Sequence, residues 1–154
     1  VIGAKAVAFK EALYPSFKQY AKNIVSNAKS LAQSLIEKDY NLVTGGTDTQ
    51  VMLIDLNNKN ISGKQAEKSL EQAGINLNKN MVPFDKRSPF VTSGIRIGTP
   101  AITTRGMGNQ EMSMIADLID KVINNPDDNK VISKVKKEVN NLCDAFPIYD
   151  EFHN

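Results

Sequence analysis

The sequence predicts a two-layer α/β sandwich, with helices packed on a small mixed or antiparallel sheet. Three observations predict it. In four segments the apolar residues recur every three or four positions, as one face of a helix requires. Four short stretches instead hold branched side chains or alternate apolar with polar, as strands do. Clusters of Gly, Pro and Asn punctuate these segments, and few strands with several helices to cover them pack naturally as layers.

Taken in order, residues 4 to 37 read as helix. From Leu13 the stripe runs Phe17, Ala21, Ile24, Ala28, Leu31 and Leu35, with Lys18, Lys22 and Lys29 on other faces. Pro15 predicts a kink or a fresh helix start, and the helix should end by Asp39 to Asn41. Leu42-Val43 is a candidate short strand before the turn cluster Thr44-Gly45-Gly46-Thr47-Asp48. Val51 to Leu56, almost wholly apolar, is expected to be a strand buried on both faces. After the polar turn Asn57–Asn60, Ser62 with Gln65 predicts a capping box, and Gly74 a helix C-cap. Ile75 to Asn78 alternates like a half-buried strand. Asn80 to Pro89 reads as a loop long enough to carry function, Thr92 to Thr99 as strand, and Thr103 to Asn109 as irregular. Two amphipathic helices follow, one from Met112 to Ile123 and one marked by Val131, Val135, Val139 and Leu142, joined by a polar linker at Pro126. The expected order is helix, strand, strand, helix, strand, strand, helix, helix.

A chain of 154 residues fits one domain and can bury roughly 68–70% of its unfolded surface. With 23% charged residues and a net charge of +2, the lysines scattered among acids, neither nucleic acid nor a membrane is an expected partner. The single cysteine, Cys143, allows no internal disulfide and suits a reducing, cytoplasmic location. No apolar run is long enough to span a bilayer. Val1-Ile2-Gly3-Ala4-Lys5 has neither the features of a secretory signal nor an initiator methionine nor a helix-start signal. It reads like the inside of a helix that continues from a preceding part of a larger protein.

Most enzyme signatures are missing. His153 stands beside the C-terminus and reads as a solvated tail residue. No cluster has zinc spacing, and there is neither a Gly-x-Ser-x-Gly elbow nor a phosphate loop. Gly106-Met107-Gly108 lacks the third glycine and the preceding strand of a dinucleotide site. Cys143 lies near a helix stripe and reads as a small buried hydrophobe rather than a nucleophile. The segment Thr92-Ser93-Gly94-Ile95-Arg96-Ile97-Gly98-Thr99-Pro100 differs. In a strand, Ile95 and Ile97 point to the core, and Gly94, Arg96 and Gly98 point the other way. Two glycines leave open space beside a guanidinium, whose planar fork matches a carboxylate or a phosphate. The pattern fits equally an arginine paired with an internal Asp or Glu across the sheet. In the preceding loop Asn80 can both donate and accept, as a heterocycle's amide edge requires, and Phe90 can offer an aromatic face. A plain solvated loop fits that pattern too.

Several of these segments resemble serine hydroxymethyltransferase: Asn78-Lys79-Asn80-Met81-Val82-Pro83-Phe84-Asp85, then Ser88-Pro89-Phe90 through Gly94-Ile95-Arg96-Ile97-Gly98-Thr99-Pro100-Ala101, then Thr103-Thr104-Arg105-Gly106. Upstream, Ala4-Lys5-Ala6-Val7-Ala8-Phe9, Gly45-Gly46-Thr47-Asp48 and Leu53-Ile54-Asp55-Leu56 resemble the same family in the same order. The similarity runs through residues 1 to 124 and more loosely beyond. It implies the C-terminal domain of a fold-type I pyridoxal-phosphate enzyme that interconverts serine and glycine and carries the one-carbon unit on tetrahydrofolate, acting as a homodimer or a dimer of dimers. By resemblance Arg96 binds the amino-acid carboxylate, and Asn80 with Ser88, Pro89 and Phe90 contacts the folate. The family's Thr-Thr-His-Lys motif around the cofactor lysine is not in this sequence, so no catalytic, cofactor-binding or metal-binding residue is expected in residues 1–154, nor a cofactor bound to them alone. Thr49-Gln50 departs from the Asn-His of many members, and Arg105 is expected to be structural, holding backbone carbonyls. The alternatives are another fold-type I enzyme such as an aminotransferase, which also uses a C-terminal arginine, and a free-standing module that binds a small acid.

Overall fold

The computed structural model describes residues 1–148. Two helices open the chain, α1 (Ile2–Ala12) and α2 (Pro15–Ile36), with the break at Leu13-Tyr14 and Pro15 in the first turn of the second. Proline belongs there, because its missing N–H would have no intrahelical partner in any case. The expected apolar stripe is only half covered. Ala28, Leu31 and Leu35 are buried, whereas Leu13 is 85% exposed and no residue of α1 is buried.

The strands are β1 (Asn41–Leu42), β2 (Val51–Asp55), β3 (Asn78–Asn80) and β4 (Gly94–Gly98), in the order β1-β2-β4-β3 with every pairing antiparallel. Helix α3 (Gly63–Gln72) joins β2 to β3 after a short 3₁₀ turn at Asn57–Lys59. The short helix α4 (Pro100–Thr104), then α5 (Asn109–Ile123) and α6 (Asn129–Ala145), complete the described chain. Leu42, Met52, Ile54, Ile95 and Ile97 form the buried side of the sheet, packed in one core with Leu31 and Leu35 of α2, Leu70 of α3, Met112, Ile119 and Val122 of α5, and Val135 of α6. The helices therefore lie on one face of a small sheet, and among the described residues no helix covers the other face.

This one-sided packing corrects the reading of β2. Met52 and Ile54 are buried, but Val51 is exposed and Leu53 and Asp55 are half-buried. The strand is apolar on both faces while only one meets helices. Boundaries also move: the strand expected at Leu42-Val43 is Asn41–Leu42, and that expected at Thr92–Thr99 is Gly94–Gly98. Ile75-Asn76-Leu77 is irregular, and the strand is Asn78–Asn80, because the chain joins the β4 ladder only at Asn78, opposite Arg96, and leaves Ile97 and Gly98 without partners on that side. Residues 100–104, partly read as irregular, form α4, started by Pro100.

Helix α3 begins as its sequence suggests, with Ser62 Oγ accepting from the Gln65 N–H at 3.2 Å. The Gln65 side chain does not complete the box; it donates to Asp127 at 3.1 Å. Two further first-turn donors are satisfied from afar: Gly63 N–H donates to Thr92 O (3.0 Å) and Lys64 N–H to Val91 O (2.9 Å). The fit is tight. A Cβ on Gly63 would lie 2.1 Å from Thr92 Oγ1 and 2.3 Å from the backbone oxygen of Gly94. Backbone cannot retreat as a flexible side chain can, so Gly63→Ala should destabilise the chain by about 1–3 kcal/mol. Urea unfolding of the two proteins checks this; an unchanged midpoint would mean that the helix start can move away from the loop.

Candidate substrate-binding face

Arg96 sits at the middle of β4, with Leu53 of β2 opposite it on one side and Asn78 of β3 on the other. Residues paired across strands share a face, so these three form a row on the uncovered side of the sheet. The next pairs along are Val51 with Gly98 at one end, and Asp55, Gly94 and Asn80 at the other. Arg96 is exposed. Among the described residues its side chain forms neither a hydrogen bond nor an ion pair. Asp55, the acid nearest in register, accepts instead from the N–H of Asn57 at 2.9 Å. The internal partner that the sequence left open is thus not engaged.

The two glycines beside Arg96 differ. Gly98 leaves room, since a Cβ there would make only ordinary contacts at 3.5–3.6 Å. Gly94 is buried, and its space is filled rather than open: a Cβ would come within 2.7 Å of both Ile54 O and Val82 Cγ1. It is glycine because the backbone of both neighbouring strands, at Ile54 and Asn80, and Val82 of the loop that follows β3 all close on the start of β4. The guanidinium is therefore open toward Gly98 and walled at the other end.

That wall is the loop from Met81 to Ser93. Asn80, at its start, donates from Nδ2 to Met81 O (2.8 Å), and its Oδ1 accepts nothing among the described residues. Ser88, Pro89 and Phe90 are exposed, Phe90 to 81%. Lys79 faces the helix side of the sheet, opposite Ile95, and pairs with Glu67 at 3.2 Å. Arg105 behaves as expected, donating to Phe146 O (2.9 Å) and Cys143 O (3.4 Å) at the end of α6. Cys143 is half-buried against the core rather than fully buried. His153 lies outside the described residues. Among the described residues no group of three or more His, Cys, Asp or Glu could hold a metal, and no helix is long and apolar enough to cross a membrane.

Sequence reasoning missed the part that Asp85 plays. Its Oδ1 accepts the Ser93 hydroxyl (2.6 Å) and the Arg87 N–H (2.9 Å), and its Oδ2 the N–H groups of Ser93 (2.8 Å) and Val82 (3.3 Å). An acid two residues before a loop N–H is the signal of a local side-chain turn and could have pointed to it. The bonds to Ser93 span eight residues and leave no such mark. Burial alone would raise this carboxyl's pKa, but the four hydrogen bonds together outweigh it and lower the value from 3.8 to about 2.

The family model described as serine hydroxymethyltransferase matches residues 1–119, a stretch that includes α1 to α4, the whole sheet and the Arg96 face. The class is that of pyridoxal-phosphate-dependent transferases. Within it, the chain belongs to the serine hydroxymethyltransferase family.

The depressed Asp85 value carries a sign. A carboxylate more acidic in the folded than in the unfolded chain stabilises the fold above its unfolded value and loses that contribution as pH falls. The stability that Asp85 adds over Asp85→Asn should thus be full above pH about 4 and fade as pH falls toward about 2. Unfolding free energies of both proteins across that window measure it; a difference that does not change with pH would reject the effect.

Proposed function

We propose that the chain is the C-terminal domain of a serine hydroxymethyltransferase that interconverts serine and glycine, with Arg96 holding the amino-acid carboxylate. The observation that supports this most is the exposed guanidinium of Arg96, without a partner among the described residues, on the sheet face that no described helix covers and open on the Gly98 side. Its planar fork can donate two parallel hydrogen bonds to a carboxylate. Two bonds fix the direction of the bound group as well as its place, and so set which bond at the amino acid's α-carbon is presented for reaction.

The neighbouring loop fits a folate. Asn80 keeps a free amide oxygen, Phe90 presents an open aromatic face, and Ser88 and Pro89 stand on the same exposed stretch. In this reading Asn80, Ser88, Pro89 and Phe90 form part of the tetrahydrofolate site. The described residues do not fit pyridoxal phosphate. The lysine nearest to Arg96 in register, Lys79, faces away from it and is tied to Glu67. The cofactor's lysine and phosphate site then belong to a large domain outside residues 1–154, and the complete enzyme is a homodimer or a dimer of dimers.

The test of Arg96 is steady-state kinetics in the full-length enzyme. Charge-assisted hydrogen bonds contribute about 1.5–3 kcal/mol each, so Arg96→Ala should lower kcat/KM for serine at least ~100-fold. Arg96→Lys should recover little, because an ammonium cannot reproduce the fork. Unchanged serine kinetics in Arg96→Ala would reject the assignment. The second test uses the 154-residue chain by itself, which should neither retain pyridoxal phosphate nor turn over serine. Cofactor absorbance that survives gel filtration of the purified chain would place the cofactor site within it.

A further inference from the structure

We infer that Asp85 is a positioning residue for the folate side of this site, holding Ser88, Pro89 and Phe90 in place without acting on Arg96. The inference rests on the proposed reading of the site and assigns its two halves to separate supports.

The four bonds to the Asp85 carboxylate reach three points of the loop. Val82 stands two residues after Asn80, Arg87 immediately before Ser88, and Ser93 immediately before β4. One side chain thus gathers both ends of the segment and the residue that leads into its exposed tip. Among the described residues the side chains of the tip itself, Ser88, Pro89 and Phe90, form no hydrogen bond. The Ser88 carbonyl accepts from the N–H groups of Val91 and Thr92, both at 2.9 Å, while the side chains of Ser88, Pro89 and Phe90 are exposed.

A carboxylate suits this post because it only accepts, with about four lone-pair directions for four donors. An asparagine would turn its N–H₂ group either toward the Arg87 N–H or toward the Val82 and Ser93 N–H groups, and two N–H donors cannot bond each other. Arg96 is secured differently. It lies within β4, paired on both sides by β2 and β3, and none of the four bonds touches it. The loop also keeps anchors that do not involve the carboxylate: Gly63 and Lys64 donate to Thr92 and Val91, and Arg87 Nη1 donates to Ile61 O at 3.0 Å. Loss of the carboxylate should therefore loosen the tip and leave the sheet standing.

The experiment varies serine and tetrahydrofolate separately in full-length enzyme. Asp85→Asn should raise the tetrahydrofolate KM about tenfold or more, the scale of one or more lost charge-assisted hydrogen bonds, and leave the serine KM within about twofold. Ser93→Ala deletes only the 2.6 Å bond and should raise the tetrahydrofolate KM about threefold in a fold that is hardly disturbed. It carries the test should Asp85→Asn fail to fold. Equal rises in both KM values, or no change in the tetrahydrofolate KM, overturn the inference. Arg96→Ala, measured alongside, reports on the site itself. A raised serine KM there upholds the proposed reading whatever the Asp85 result. Wild-type turnover that does not depend on tetrahydrofolate overturns reading and inference together.

Discussion

The structure depends on a close backbone approach that only glycine permits. The start of α3 meets Thr92 and the Gly94 carbonyl where Gly63 has no side chain, and Val82 closes on the first residue of β4 where Gly94 has none. Because they meet, α3 can satisfy its first N–H groups with loop carbonyls, and the end of the loop is held against the start of β4. The helix start, the loop and the strand that carries Arg96 are consequently fixed relative to one another by main chain. A site assembled on main-chain contacts keeps its geometry while individual exposed side chains move.

Much of the fold was legible because its signals are local. Pro15, the Ser62 cap and the Gly74 stop each act within one turn of helix, and each does in the structure what its residue type requires. The misreadings occur where the answer lies with a partner far along the chain. Val51, Leu53 and Ile54 are all apolar, and nothing within β2 says that helices cover one side only. The start of β3 follows from where the chain first comes alongside β4, at Asn78 opposite Arg96, which the alternation of Ile75 to Asn78 does not encode.

The site divides the same way. The facing of Arg96 follows from strand alternation between Ile95 and Ile97, both of which are buried as expected. The two glycines beside it look alike in sequence, yet one leaves space and the other is pressed against Val82 and Ile54. The convergence on Asp85 depends on a chain reversal that brings Ser93 back to it, and a linear pattern does not show such a reversal. Family resemblance supplied what pattern could not: a reason to regard an exposed arginine as a ligand group rather than a solvated one.

The sheet has a further consequence. Its outer strands are only two residues (β1) and three residues (β3) long, whereas the longer β2 and β4 lie inside. A borderless run of free peptide groups is what lets one polypeptide zip onto another, and here such a run is nearly absent. The stubby margins thus act as a guard against fibrillar growth in a chain whose described helices cover only one side of the sheet.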